Sequence, residues 1–222
     1  VPLFTEAELG TGEQVAQIVT LAFGNCILTN HGNVRCWGWN DWGSLGLGHT
    51  NWIGDNEPAS AAGWTSLVSA TEQEQGVKVQ KISGNNYVIC ALLTNGGVRC
   101  WGYNEGWVMG DKRPRYDKVG DNEVPSSLPT ISLGGSAIDI SVGHYSACAL
   151  LNMSWGEEVR CWGAGAYLGL AGTFQGMAIG DDEFPSDVPV FTQILSPEEK
   201  IHGRKIKEMI STITGHCILF ED

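Results

Sequence analysis

Seven cysteines are the residues here best suited to covalent chemistry, and six of them fall into pairs with matched surroundings. Cys26 and Cys36, Cys90 and Cys100, and Cys148 and Cys161 each enclose a short stretch, and the second of each pair lies in the same run, Val-Arg-Cys-Trp-Gly. Thiols facing each other on paired strands are within disulfide reach, and such bonds persist in an oxidising compartment. The alternative is three pairs of buried thiols in a reducing cytosol. Zinc fits poorly, because it favours short Cys-x-x-Cys spacing and four ligands. Cys217 opens a further copy, CILFED. It has no mate in this sequence, so it pairs with a cysteine outside it or bonds another chain.

Carboxylates form the second group. Three acidic tags recur: Ile53-Gly54-Asp55-Asn56-Glu57-Pro58, Val119-Gly120-Asp121-Asn122-Glu123-Val124-Pro125 and Ile179-Gly180-Asp181-Asp182-Glu183-Phe184-Pro185. Asp55, Asp121 and Asp181 are weak calcium candidates, since carboxylates and loop carbonyls suit that ion, but the spacing is not that of an EF-hand loop. The structural role is preferred: Asp and Asn bond nearby backbone N–H groups and shape the turn before a proline. No histidine among His31, His49, His144, His202 and His216 stands in a nucleophile motif, and no phosphate-cradling glycine loop is present. No catalytic residue, resident metal or cofactor is expected. Asn152-Met153-Ser154 is an N-glycosylation acceptor pattern in a turn that should be exposed.

Nine tryptophans complete the inventory. Trp37, Trp101 and Trp162 follow the second cysteine of each pair. They are read as core rings packed beside a disulfide rather than as platforms for sugars or peptides. Trp39, Trp42, Trp52, Trp64, Trp107 and Trp155 do not all recur at equivalent positions, and exposed tryptophan often marks an interface. Trp42, Trp52, Trp107 and Trp155 are the candidate partner contacts, with the variable loops 107–119 and 172–177.

These residues need elements that position them. Residues 90–102, CALLTNGGVRCWG, read as two strands joined by a tight turn at Asn95-Gly96-Gly97. Residues 26–38 repeat the hairpin, and residues 148–163 repeat it with a longer turn. An alternating apolar strand precedes the second and third hairpins, at 77–82 and 137–142, and 206–213 leads into the copy at Cys217. Val1-Pro2-Leu3-Phe4-Thr5 matches Val188-Pro189-Val190-Phe191-Thr192. The chain thus divides into units at 1–60, 61–126 and 127–187, with a partial fourth at 188–222, all within one all-β, propeller-like domain. A fixed-period repeat of this kind outweighs every other signal in the chain.

Gly143-His144-Tyr145-Ser146-Ala147-Cys148-Ala149-Leu150-Leu151, with Gly97-Val98-Arg99-Cys100-Trp101-Gly102-Tyr103-Asn104, resembles the regulator of chromosome condensation repeat. The resemblance covers nearly the whole chain. It implies a β-propeller with four-stranded blades, usually seven, and the paired-cysteine form resembles repeats of secreted and surface proteins. The nuclear factor that names the family activates a small GTPase and docks on chromatin; nothing here matches a motif for either task. Three and a half units do not close a seven-bladed ring. The chain is then a window on a longer array, or its open ends self-assemble, because an unpaired strand edge is a template for pairing.

Charge narrows the function classes. Thirteen basic against twenty-five acidic residues give a net charge of −12. That opposes a nucleic-acid surface, which needs a basic stripe, and an anionic membrane surface. No apolar run is long enough to span a bilayer. The first residue is Val1, and no signal peptide is visible; one has been removed or the chain is part of a longer one. The expected function is a non-enzymatic extracellular structural or interaction module that binds a protein partner or self-associates into a surface assembly. The alternative is a soluble binding or inhibitor module with an enzyme or GTPase partner.

Overall fold

The computed structural model describes residues 9–170, 176–196, 198–199, 203–212 and 215–221. The matching segments 1–5 and 188–192 are therefore only half visible, and His202 and most of the 172–177 loop lie outside the described residues. The structure is almost entirely β. The first sheet contains β1 (Val15–Thr20), β2 (Gly24–Thr29) and β3 (Val34–Gly38), and the second β4 (Val79–Asn85), β5 (Val88–Leu93), β6 (Val98–Tyr103) and β7 (Lys118–Val119). The third contains β8 (Ser136–Val142), β9 (Ser146–Met153) and β10 (Gly156–Gly163), and a two-stranded sheet pairs β11 (Ile206–Ser211) with β12 (His216–Phe220). All pairings are antiparallel and follow chain order.

The sheets are blades built to one register. Cys26 faces Cys36, Cys90 faces Cys100 and Cys148 faces Cys161. Their Cα atoms lie 4.1, 4.0 and 4.0 Å apart, and each pair is disulfide-bonded. Such short spacing belongs to the close, non-hydrogen-bonded sites of an antiparallel ladder. Each bond closes a short loop and so removes about 3 kcal/mol of unfolded-state entropy. A fourth strand closes the second blade, where Gly102 pairs with Val119. Single bridges, Gly38 to Ile53 and Gly163 to Ile179, do the same in the first and third. In each case the partner is the first residue of an acidic tag.

The first strands β1, β4, β8 and β11 lie side by side along the inner edge of the array. Each carries a bulge at the same place, between Val15 and Gln17, Val79 and Lys81, Ala137 and Asp139, and Ile206 and Glu208. The residue after the bulge reaches the next blade. Gln17 brackets Ile82, with Nε2 donating to the Ile82 carbonyl at 2.6 Å and Oε1 accepting from its N–H at 3.0 Å. Asp139 accepts from the Met209 N–H at 3.0 Å, and the Lys81 ammonium, which can only donate, pairs with Asp139 at 2.5 Å.

One apolar core runs through all four blades, from Cys26, Leu28 and Leu45 to Ile206 and Met209. A short α-helix among the described residues departs from the strand-only expectation. Residues 70–74 form α1 (Ala70–Glu74), because Ser69 and Glu72 make a reciprocal capping box. Glu72 also meets Arg99 at 3.2 Å. Burial opposes ionisation of Glu72, but the Ser69 N–H and the Arg99 guanidinium outweigh it and hold the carboxyl below its usual range.

Candidate interaction surface

The turns before β2, β5 and β9 and the loops after β3, β6 and β10 share one end of the blades. Aromatic rings gather there. Trp42 is the hub of the first two blades, with ring centroids 4.4 Å from Trp39, 4.3 Å from Tyr87 and 4.6 Å from Tyr103. Phe23 joins Trp39 at 5.6 Å, and Tyr116 joins Tyr103 at 5.9 Å. Tyr87 leads to His144 at 6.1 Å, which stacks on Tyr145 at 3.8 Å, and Tyr145 stacks on Tyr167 at 5.5 Å. Offset and edge-on contacts at these spacings stabilise ring pairs beyond their buried area.

Charged groups frame the rings. Arg115 lies over Tyr116 at 4.6 Å and over Trp107 at 5.1 Å. Glu105 contacts His144 Nε2 at 3.1 Å. Burial, then the nearby Glu105 charge, pushes the Tyr103 and Tyr145 hydroxyls above the usual tyrosine range, so both stay neutral donors. Phe23 is 61 % exposed and Tyr116 50 % exposed, while Trp42 is half-buried beneath them. A surface of this kind offers flat apolar faces, phenol hydroxyls and one guanidinium to a partner.

Blade-to-blade packing holds the surface rigid. Trp101 and Trp162 are fully buried, and each reaches the preceding blade: Trp101 Nε1 donates to the Ser44 carbonyl at 3.0 Å, and Trp162 Nε1 to the Val108 carbonyl at 2.7 Å. The arginine of each Val-Arg-Cys-Trp-Gly run is buried too. Arg99 bonds the Leu67 and Leu128 carbonyls, and Arg160 the Pro185 and Val188 carbonyls. Arg35 stacks on Trp64 at 4.1 Å and Arg160 on Phe191 at 4.3 Å.

The residues singled out from the sequence fall in different places. Trp42 is in the ring cluster and Trp107 is at its edge under Arg115. Trp52 is exposed at its side, with Nε1 donating to Asp41 at 2.6 Å. Trp155 is 66 % exposed, but it sits in the β9–β10 turn at the opposite end of the blade, beside exposed Asn152. Of the calcium candidates, Asp181 stands with Asp182 and Glu183, their ligand atoms all within 4.8 Å; among the described residues no such group contains Asp55 or Asp121. In the first tag Asp55 accepts from the Asn56 N–H and Glu57 from the Gly54 N–H. Cys217 is exposed and free on β12, whose outer edge is unpaired among the described residues.

Sequence reasoning passed over Phe23, Tyr87, Tyr103 and Tyr145; Arg115 lies in the 107–119 loop it names as a contact. A signal was present: Phe23, Tyr87 and Tyr145 each stand three residues before the first cysteine of a pair, and Trp39 and Tyr103 each follow Cys-Trp-Gly. The repeated arginine was visible in the motif, but nothing local assigned it a burial site.

Antiparallel blades of one register, with first strands abreast and rings gathered on one loop face, define an arc of β-propeller with an aromatic loop face. Residues 79–105 match the family model of the regulator of chromosome condensation (RCC1) repeat. Human WBSCR16 is similar in structure at 19 % identity with a TM-score of 0.69, over 96 % of this chain and 46 % of that one. Yeast RCC1 (Prp20), in a complex with Kap60, is similar at 16 % identity and a TM-score of 0.56, over 90 % and 40 %. Prp20p from Saccharomyces cerevisiae, described with its binding properties to Gsp1p and histones, is similar at 17 % and 0.54, over 88 % and 41 %. At these identities the likeness shows the fold. The chain spans less than half the length of each of these proteins. No curated protein matches the sequence. The three disulfides belong to an oxidising environment. Among the described residues no helix is long and apolar enough to cross a membrane.

Proposed function

We propose that this chain is a non-catalytic, extracellular interaction module of disulfide-braced propeller repeats, with units 1–60, 61–126, 127–187 and 188–222, that engages a protein partner through its aromatic loop face. The observation that carries this reading is the unbroken series of rings from Phe23 through Trp42 and Tyr87 to Tyr167, edged by Arg115. Tyrosine, tryptophan and arginine are the residues that dominate protein-interface energetics. The net charge of −12 opposes nucleic acid as the partner. The extracellular assignment rests on the three disulfides, and glycosylation of exposed Asn152 accompanies it. A soluble inhibitor of an enzyme or GTPase would use the same face.

The test is capture from secreted and cell-surface fractions with the chain and with a Phe23→Ala/Tyr116→Ala variant, against Ile138→Ala as an exposed control elsewhere. Loss of the captured protein in the double variant alone supports the reading; equal capture by all three overturns it.

Self-assembly is a second reading, favoured by the free thiol of Cys217 on β12, whose outer edge is unpaired among the described residues. Light scattering with and without reductant tests it. Oligomers that vanish with reductant, or in Cys217→Ser, support it; a monomer under oxidising conditions overturns it.

A further inference from the structure

The turns of the three hairpins meet the next blade differently. In the first blade the turn glycine, Gly32, packs on the start of β4, and an added Cβ would lie 2.9 Å from Lys78 Cβ. In the second, Gly96 packs on the start of β8. An added Cβ there would lie 3.0 Å from Ser136 Cβ, and the Gly96 carbonyl accepts from the Ala137 N–H at 3.0 Å. The third hairpin is longer, with 13 rather than 10 residues between its cysteines, and its turn stands clear. A Cβ added at Gly156 would meet nothing within 4 Å. Between this turn and the residues leading into β11 lies a groove of about 360 Å³, lined by Asn152, Trp155, Glu157, Leu195, Arg204 and Lys205 among others. Both walls are segments of this chain, and the first two blades close the corresponding seam with the turn alone.

The groove holds an acceptor pattern and a bare ring. Asn152 and Ser154 are exposed, and among the described residues neither side chain makes a hydrogen bond, so the Asn-Met-Ser pattern is accessible to a transferase. Trp155 is 66 % exposed, and its indole has no ring or hydrogen-bond partner among the described residues. Lys205 is exposed too and pairs with no carboxylate among the described residues.

We propose that an oligosaccharide linked to Asn152 folds back into this groove, with the C–H face of its first N-acetylglucosamine on the Trp155 indole. A pyranose face is flat and apolar, so it covers an indole much as an apolar side chain does. Its hydroxyl and acetamide groups stay at the rim, where Glu157 accepts and Lys205 donates hydrogen bonds. The groove has the size that suits a small organic group. Attachment is a transfer from a lipid diphosphate-linked oligosaccharide. The bond from Asn152 Nδ2 to the sugar C1 forms as the C1–O bond to the diphosphate breaks; the diphosphate leaves with the electron pair, and the amide proton goes to the transferase's base. This rests on the extracellular, glycosylated reading above and adds where the sugar lies: it fills a seam that protein fills between the other blades.

The test uses the whole chain secreted from cultured mammalian cells, with intact mass reporting occupancy of Asn152 against Asn152→Gln. Release of the glycan from the native chain by peptide N-glycosidase should be roughly tenfold slower than from Trp155→Ala, the effect of one modest docking contact. The two chains should release it equally once denatured. Hydroxyl-radical labelling of Trp155 should fall several-fold in the glycosylated chain relative to Asn152→Gln. With Asn152 glycosylated, unchanged release or unchanged labelling overturns the groove seat and leaves glycosylation standing. A bare Asn152 in the secreted chain overturns the glycosylated reading and the seat with it.

Discussion

The indole N–H of Trp162 donates to the carbonyl of Val108, 54 residues earlier and one blade back, at 2.7 Å. Trp101 repeats the contact with Ser44 at 3.0 Å. A hairpin therefore stabilises its own blade through its disulfide and the preceding blade through the residue next to it. Trp162→Phe keeps most of the buried area but leaves a buried carbonyl without its donor, at a cost of about 1–3 kcal/mol. Trp162→Ala also opens a cavity and should cost about 3–5 kcal/mol. Urea unfolding of the two variants checks both values and their order.

Gly46, Gly110 and Gly169 allow this contact to be separated from backbone strain. All three have φ between +63° and +67°, so alanine meets the same left-handed penalty of about 1–2 kcal/mol at each. At Gly46 the methyl also collides with Thr65 Cγ2, at 2.6 Å, and with the Trp101 indole, and at Gly110 with the Trp162 indole and Ile131 Cγ2. Those two variants should lose roughly 1–3 kcal/mol more than Gly169→Ala, the cost of overpacking a filled site. Equal destabilisation of all three by thermal unfolding would contradict the placement of the rings.

Asp139 ties three blades together through Lys81 and the Met209 N–H. Asp139→Ala removes the acceptor from both of these donors and from the Ile140 N–H, and should cost roughly 2–3 kcal/mol. The loss should centre on the neighbouring strands, with faster amide exchange at Met209 than at Ile27. Gln17→Ala, which frees one N–H and one carbonyl of Ile82, should cost about 1–2 kcal/mol by the same reasoning.

Two groups set opposite pH dependences. Burial lowers His216 to about 4, with Ser141 and Ser146 hydroxyls on its two ring nitrogens. The unfolded chain binds the proton more readily, so this contribution is complete above the ordinary histidine value, near 6.5, and is lost as pH falls towards 4. Glu183 moves the other way: burial, then Asp182 and Asp181, raises it to about 7. The folded chain holds that proton more tightly, so stability declines as pH rises from about 4.5 through 7. The two windows overlap, so the contributions offset each other in the native chain: in urea, Glu183→Gln should unmask a loss of stability as pH falls from about 6.5 towards 4, and His216→Gln a loss as pH rises from about 4.5 through 7.

The sequence by itself determined the hairpins, their cysteine register and the acidic tags. The cysteines of a pair are 10 or 13 residues apart, and an Asn-Gly turn or its longer equivalent settles which residues face each other. The exact strand limits were less legible: β4 runs to Asn85, beyond the 77–82 stretch, because its pairing continues to the turn at Val88. Only the tertiary structure decided which rings meet and where the repeated arginine goes. Trp101 reaches Ser44 across 57 residues and Gln17 reaches Ile82 across 65. Such contacts depend on how one blade is set against the next, and that angle arises from bulges and close glycine approaches summed over whole sheets, not from any local pattern of residue types.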